Sequence, residues 1–193
     1  RQPNNQWSVT RHFEEPQMIT QAYFGATVAI NGDHAIMTAP GQFDDGARVW
    51  STVLGSNGQW SELASMETPD PWDMVSRLGE ALEIDGDTAL VGAPGRPLEI
   101  SGVHLYEWHQ DQWIHRQVLR TDEEDTRRHH EFGHAVDMSE GRILIGAPGD
   151  SGPDPTALAS FGAAFIFSDS PPICTEGGNC LCLPNRSGVS CSD

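Results

Sequence analysis

The chain has 193 residues, of which 28 are acidic and 11 basic, and its formal net charge is −17. Hydrophobic residues make up 37% and charged residues 20%, a balance typical of a folded chain rather than a disordered one. All the basic residues are Arg. With so few of them, neither nucleic acid nor anionic lipid is expected as a partner. No apolar run approaches 18 residues, so no membrane insertion is expected.

The first residue is Arg1 rather than Met. We interpret this start as that of a processed mature protein, although a trimmed chain would look the same.

A pattern of about 18 residues occurs three times, starting at Phe24, Leu78 and Phe132, which are 54 residues apart. Each copy contains two short apolar runs and ends on the triplet Ala-Pro-Gly. Such regular self-similarity is typical of a repeat architecture, in which neighbouring units bury each other's apolar faces.

The first two predicted strands of a copy flank a tight turn. In the first copy residues 28–30 and 35–38 flank Asn31-Gly32, and the second copy has Asp85-Gly86 at the matching place. Asn-Gly and Asp-Gly are strong signals for a two-residue hairpin in which both turn residues have positive φ.

Two further strands follow in each copy. The third is an alternating apolar run that begins at a glycine, and it spans 46–50, 102–108 and 162–167 in turn. The fourth is centred on Trp60 and Trp113, whose side chains are expected to cover the faces of the sheets. Trp7 lies 53 residues before Trp60 and belongs to the same register.

Four antiparallel strands in each repeat predict an all-β fold of three four-stranded propeller-type blades, incomplete as a closed ring. The predicted propeller region is 1–170, and a disulfide-rich tail follows at 171–193. Within the propeller region the predicted divisions are a displaced strand with its linker at 1–23, and blades at 24–77, 78–131 and 132–170.

Over residues 7–168, the motif FG-x-x-V-x-I-x-G-D, followed by A-P-G and then by a G-x-x-V-[WY] strand, resembles the FG-GAP repeats of integrin-type β-propellers. The resemblance implies an extracellular or cell-surface protein, without enzymatic activity, that acts in adhesion or assembly. Extracellular glycans or proteins are then alternative partners, and Trp72, outside the repeat register, is a candidate recognition residue.

The calcium loop that integrin-type repeats often carry is absent from this sequence. The corresponding turns, such as Asn31-Gly32-Asp33, are too short to supply the six or more oxygens that Ca²⁺ prefers, so no cofactor is expected. Longer loops near Asp44 and Asp45 or near Asp150 and Asp154 offer an alternative calcium site, although turn aspartates commonly serve only local backbone amides.

The segment HEFGHA, at 130–135, matches the HExxH signature of zinc metalloproteases. On a helix, His130 and His134 would ligate zinc and Glu131 would act as the general base. However, Phe132-Gly133 is already required by the repeat, and a helix would replace the first strand of the third blade. We therefore retain the protease only as an alternative.

The strand order predicts self-assembly. Residues 6–13 form a fourth strand without a blade, whereas the third blade lacks a fourth strand of its own. A ring needs at least four blades, so we expect residues 6–13 of one copy to complete the third blade of the next, as a closed ring or a fibre. The predicted assembly residues are Trp7, Val9, Phe13, Phe165 and Phe167.

All the cysteines lie in the tail, at Cys174, Cys180, Cys182 and Cys191. Clustered cysteines in a short segment with little apolar content predict disulfide bonds, and hence a secreted protein, whereas the spacing suits a zinc knuckle poorly. The stretch CTEGGNCLCLPNRSGVSC resembles the second half of an EGF-like module. That resemblance implies Cys174–Cys180 and Cys182–Cys191 bonds, one of three possible connectivities.

The tail also contains the sequon Asn185-Arg186-Ser187, a predicted N-glycosylation site.

Overall fold

The computed structural model describes residues 7–18, 22–41, 47–67, 77–95, 101–121, 131–152 and 160–168, together with the backbone of 173–174 and 180–181. In this part of the chain every regular element is a β-strand. The predicted all-β class is therefore confirmed, and the strands form three antiparallel sheets and one small hairpin.

The first sheet has the order β1-β2-β3-β4. Its strands are β1 (Val28–Asn31), β2 (His34–Ala39), β3 (Arg48–Val53) and β4 (Ala64–Ser65). Trp60 precedes β4 and forms an isolated bridge with Leu54.

The second sheet repeats this order as β5-β6-β7-β8. Its strands are β5 (Ala81–Asp85), β6 (Thr88–Ala93), β7 (Gly102–His109) and β8 (Gln112–Leu119). Trp113 lies in β8 and is buried, as the repeat predicts.

The third sheet consists of β9 (Ala135–Ser139), β10 (Arg142–Ala147) and β11 (Ala163–Ser168). In the part of the chain that the structure describes, no fourth strand joins it. The hairpin that follows pairs β12 (Ile173–Cys174) with β13 (Cys180–Leu181).

In the first two blades the first turn differs from the prediction by one residue. Asn31 pairs with His34, and Asp85 pairs with Thr88, so the two-residue turns are Gly32-Asp33 and Gly86-Asp87. Only the glycine of each turn has positive φ, at 55° and 57°. A glycine in the first central position suits a type II′ turn, which matches the twist of the flanking strands without straining the aspartate.

The sheets stack in chain order, and the innermost strands β1, β5 and β9 are neighbours. Among the described strands, the first and third sheets make no substantial contact, so the stack does not close into a ring. We call the side of a sheet that is turned toward the following sheet its forward face, and the opposite side its rear face.

The interface between the first two sheets places Ile36 and Val49, on the forward face of the first sheet, in one cluster with Leu82, Ile84 and Val91, on the rear face of the second. The relative solvent exposure of these side chains is 0, 1, 8, 3 and 0%, respectively. Their burial supplies the main attraction between the sheets, at about 1.5–3 kcal/mol for each large apolar side chain.

The interface between the second and third sheets is built in the same way. Leu90 and Val103, on the forward face of the second sheet, share a cluster with Ile145 and Phe132. The second sheet is therefore covered on both sides, which explains why its strands are apolar at successive positions rather than alternating.

Candidate assembly surfaces

The outer edge of the third sheet is formed by β11, which pairs with β10. Among the described residues, no strand pairs with its other edge. Such an edge presents backbone N–H and C=O groups to which another extended chain can add.

The predicted assembly residues Phe165 and Phe167 lie on β11, but their side chains point to its rear face. Their rings lie 5.3 and 6.1 Å from the ring of Phe132, which is buried. These two side chains therefore pack the third sheet against the second. Strand addition to β11 would involve the backbone groups at its outer edge and not these side chains.

The N-terminal segment does not have the predicted form in the single chain. Residues 7–15 form no strand, and the side chains of Trp7 and Val9 are 97% and 86% exposed. In the single chain the described part of the expected strand, residues 7–13, pairs with no described sheet edge, and Trp7 covers no sheet face. Its pairing with another copy remains a prediction.

Nearer the first sheet, the segment is tied down by polar contacts. Arg11 donates to the Glu62 carboxylate over 2.7 Å and lies 5.1 Å above the ring of Phe13, which is half-buried. Contacts of this kind between exposed groups are worth roughly 1 kcal/mol or less, so the segment is lightly held.

Two sheet faces at the ends of the stack expose apolar side chains that the sequence analysis did not single out. On the rear face of the first sheet, Val28 and Ile30 are 63% and 68% exposed. On the forward face of the third sheet, Leu144 and Ile166 are 44% and 74% exposed. The signal in the sequence was the run Ala-Ala-Phe-Ile-Phe in β11, which is apolar on both faces.

Aromatic rings and histidines fill the outer part of the interface between the first two sheets. The ring of His34 lies 4.5 Å from that of Trp108 and 5.4 Å from that of Trp113. Nearby, His104 is fully buried and shares a hydrogen bond of 3.1 Å with His115. In the part of the chain that the structure describes, no group of three or more His, Cys, Asp or Glu residues could hold a metal ion.

The HExxH segment does not form the helix that a zinc protease requires. Residues 131–134 form a turn, and β9 begins at Ala135. Phe132 is a core residue, and the Glu131 carboxylate lies 3.8 Å from the guanidinium of Arg77. His130 lies outside the described residues. The repeat position, rather than metal chemistry, accounts for the described part of this motif.

Of the aspartates considered for calcium, only Asp150 lies in the described part. It is 3% exposed, and its carboxylate accepts a hydrogen bond of 2.7 Å from the Gly152 amide. Its carbonyl oxygen accepts two more, from the amides of Phe161 and Gly162. These bonds serve the local turn. Asp44, Asp45 and Asp154 lie outside the described residues, as does Trp72.

One acidic group at the inner strands has a displaced pKa. Burial raises the pKa of Glu83, and repulsion from the carboxylates of Asp137 and Asp85 raises it further. Glu83 on β5 and Asp137 on β9 occupy the same position of successive repeats. The neighbouring inner strands therefore bring like charges together.

In the tail, the backbone of Cys174 lies directly opposite that of Cys180 in the β12–β13 pair. Residues opposite each other in an antiparallel pair are close enough for their side chains to interact. Cys182, Cys191 and Asn185 lie outside the described residues, so the disulfide bonds, the EGF-like resemblance and the glycosylation remain predictions.

Two four-stranded sheets and a three-stranded sheet, stacked in chain order, are typical of propeller-type blades. The FG-GAP repeat family matches residues 120–167, which include the third sheet except Ser168. FG-GAP repeats typically occur in extracellular or cell-surface proteins and are generally not enzymes. A search of curated proteins found no match. Among the described residues, no helix is long and apolar enough to cross a bilayer.

Proposed function

We propose that this chain is an extracellular structural or adhesive module that assembles head to tail with copies of itself. In the assembly, residues 6–13 of one copy add to the outer edge of β11 in the next. The observation that supports this most directly is the third sheet, to which the described residues contribute three strands where each of the other two sheets has four.

The repeat explains why this segment fits that edge. The fourth strand of the second blade is β8, which starts near Trp113, and Trp7 occupies the matching position of the repeat, 53 residues before Trp60. Trp7 and Val9 are almost fully exposed, so residues 7–13 have little structure to lose on pairing elsewhere. Their apolar side chains would leave water when the strand adds.

The secreted location rests on the repeat family and on the tail. We propose that the tail is stapled by Cys174–Cys180 and Cys182–Cys191 bonds and that Asn185 carries a glycan when the host glycosylates it. Disulfide bonds persist only in oxidising compartments, which agrees with a protein that acts outside the cell.

Deletion of residues 1–13 tests the proposal. The full chain should elute as an oligomer or form fibres visible by electron microscopy, whereas the truncated chain should remain a soluble, folded protomer. Light scattering after size-exclusion chromatography measures the mass, and far-UV circular dichroism checks that the sheets remain. The proposal is wrong if the truncated chain forms the same oligomer as the full chain.

A second test keeps the segment and changes only its apolar side chains, and it has a matched control. Replacing Trp7 and Val9 together by Ser should weaken assembly, because it removes the apolar side chains that pairing would bury. Replacing the exposed turn residue Asn57 by Ser should leave assembly unchanged, because that turn is remote in the repeat from the proposed contact.

The two alternatives remain separable from assembly. A metalloprotease would contain one zinc ion per chain and lose hydrolysis in Glu131→Gln, whereas we expect neither zinc nor hydrolysis. A ligand-binding propeller module would bind glycans or proteins through its loops, and such binding would persist after deletion of residues 1–13.

A further inference from the structure

The two interfaces inside the chain use one set of repeat positions. On forward faces, Ile36 and Leu90 occupy the same position of the first and second repeats, and both are 0% exposed. Each is covered by the rear face of the following sheet. The equivalent residue of the third repeat, Leu144, is 44% exposed.

The third strand of each sheet shows the same difference in exposure. Val49 on β3 and Val103 on β7 are 1% and 0% exposed. Their counterpart on β11 is Ala164, which is exposed. Beside it, Ile166 is 74% exposed. The forward face of the third sheet is therefore apolar like the two that are covered inside the chain.

Rear faces show the complementary pattern. Leu82 and Ile84 of the second sheet are 8% and 3% exposed because they pack on the first sheet. Val28 and Ile30 occupy the same positions one repeat earlier and are 63% and 68% exposed. On the same rear face Met37 and Trp50 are 8% and 5% exposed, so the open apolar part of this face lies at β1. The chain thus presents one forward face, and the β1 part of one rear face, of an interface that it builds twice internally.

At each internal interface, a glycine lets the backbone of one sheet lie close to a turn of the next sheet. The Thr38 side chain donates to the Gly79 carbonyl oxygen over 2.8 Å, and a Cβ at Gly79 would lie 2.7 Å from the Thr38 Cβ. One repeat later, a Cβ at Gly92 would overlap the Gly133 carbonyl oxygen. A Cβ at the turn residue Gly133 would itself lie 2.6 Å from the Gly102 carbonyl oxygen. In both cases the preceding sheet approaches the turn so closely that the turn residue has to be glycine.

At the two ends of the stack, the residues equivalent to those of this contact do not touch another sheet. A Cβ at Gly146, the counterpart of Gly92, would meet only Ala135 of its own sheet, at 3.4 Å or more. A Cβ at Gly25, the counterpart of Gly79 and Gly133, would have no atom within 4 Å, although its φ of 81° is close to theirs. The turn at Gly25 thus has the shape of the other two without their contact.

We propose that the forward face of the third sheet packs on the rear face of the first sheet of a second copy. Leu144 and Ile166 then cover Val28 and Ile30 of that copy, and Gly146 lies against its Gly25. This inference rests on the proposed self-assembly and identifies its main contact as packing between sheet faces. The partner is a second copy because the chain's own rear face carries the apolar positions and the glycine turn that the two internal interfaces use.

This arrangement also places the exchanged strand correctly. Within the chain, the strand that closes a blade is followed in sequence by the first strand of the next blade, as β8 is followed by β9. Residues 7–13 likewise precede β1. When the first sheet of one copy docks on the third sheet of another, its N-terminal segment is brought toward the outer edge of β11. Face packing and strand exchange therefore occur in one contact.

Two single variants, used separately and together, test the contact. Ile166→Asp places a negative charge on the forward face of the third sheet, and Ile30→Asp places a like charge on the rear face of the first, so the two charges cannot pair with each other. Each should weaken self-association at least about 100-fold, because docking would bury an unpaired charge. Both side chains are largely exposed in the single chain, so each variant should retain its circular dichroism spectrum.

Mixing the two variants is the decisive measurement. Each variant keeps one intact face, so an equimolar mixture should form a dimer of one copy of each and no longer species, measured by sedimentation velocity. Gln112→Arg, a charge at an exposed position of β8, should assemble like the unchanged chain. A contact between identical faces would instead let one variant dimerise alone, and that result would overturn the proposal.

Other outcomes separate this inference from the proposed function. Assembly that survives both face variants but is lost on deletion of residues 1–13 would support strand exchange and refute face packing. A full chain that stays monomeric at the highest soluble concentration would refute both, and the two faces would then be left for a different partner.

Discussion

Glycine fixes the spacing between sheets at single positions. Gly25, Gly79 and Gly133 have φ of 81°, 91° and 93° and lie at one position of the repeat, each with its amide bonded to the adjacent strand of its own sheet. The residue two positions earlier, such as Glu131, also has positive φ. The turn is therefore a backbone feature of the repeat, and the HExxH pattern arises because two histidines and a glutamate flank it in the third copy.

Gly79→Ala should destabilise the fold by about 2–5 kcal/mol. The left-handed backbone costs an L-residue roughly 1–2 kcal/mol, and the overlap with Thr38 adds about 1–3 kcal/mol. Gly25→Ala is the matched control, since it has the same backbone cost without the overlap. Urea unfolding of dilute protein gives both values, and equal losses would show that packing at Gly79 is unimportant.

On the inner strands, repulsion between neighbouring carboxylates weakens folding. Glu83 on β5 shares its strand with Asp85, and the neighbouring strand β9 bears Asp137; burial and repulsion from these two carboxylates raise the pKa of Glu83. A carboxyl whose pKa is higher in the folded than in the unfolded chain weakens folding while it is ionised. The loss is present above the raised pKa and disappears as the pH falls below the unfolded value, about 4.3.

Glu83→Gln should therefore raise Tm at pH 7 by roughly 2 °C, and the gain should vanish near pH 4. Gln keeps the shape and a hydrogen-bond acceptor while removing the charge. Glu67→Gln, at an exposed position of the first blade, is the control and should change little at either pH. Calorimetry across this pH range makes the comparison. A gain that persists at pH 4 would mean that the charge of Glu83 is not the cause.

At the scale of the whole molecule, stability should be unequal along the stack. The second sheet is covered on both faces, and Leu90, Val91 and Val103 are fully buried, whereas the outer faces of the end sheets carry exposed apolar side chains such as Ile30 and Ile166. In such a linear array each sheet is stabilised mainly by its neighbours, so the ends open more often than the middle.

Hydrogen exchange measured by mass spectrometry should show this order. In dilute protein, amides of β6 and β7 should exchange most slowly, and those of β1, β2, β10 and β11 faster. At concentrations where the chain assembles, these four strands of the end sheets should gain protection while β6 and β7 change little. Equal protection of all three sheets in the dilute protein would contradict the prediction.

The repeat itself could be predicted from sequence alone. The 54-residue interval, the apolar runs and the turn glycines predict strand-forming units of one kind, because strand pairing and tight turns depend on local residue types. Three strands in the described part of the third blade could also be predicted, since the sequence there has no Trp-centred segment. The one-residue shift of the turns could not, because both Asn31-Gly32 and Gly32-Asp33 suit a hairpin and the pairing of Asn31 with His34 decides between them.

Only the tertiary structure decided which side chains are exposed. Phe165, Ile166 and Phe167 are all apolar, and their sequence does not show which of them face the second sheet. Packing on Phe132 selects the two phenylalanines and leaves Ile166 in water. Leu90 and Leu144 likewise occupy one repeat position, yet one is buried and the other exposed, because exposure depends on whether a neighbouring sheet covers the residue.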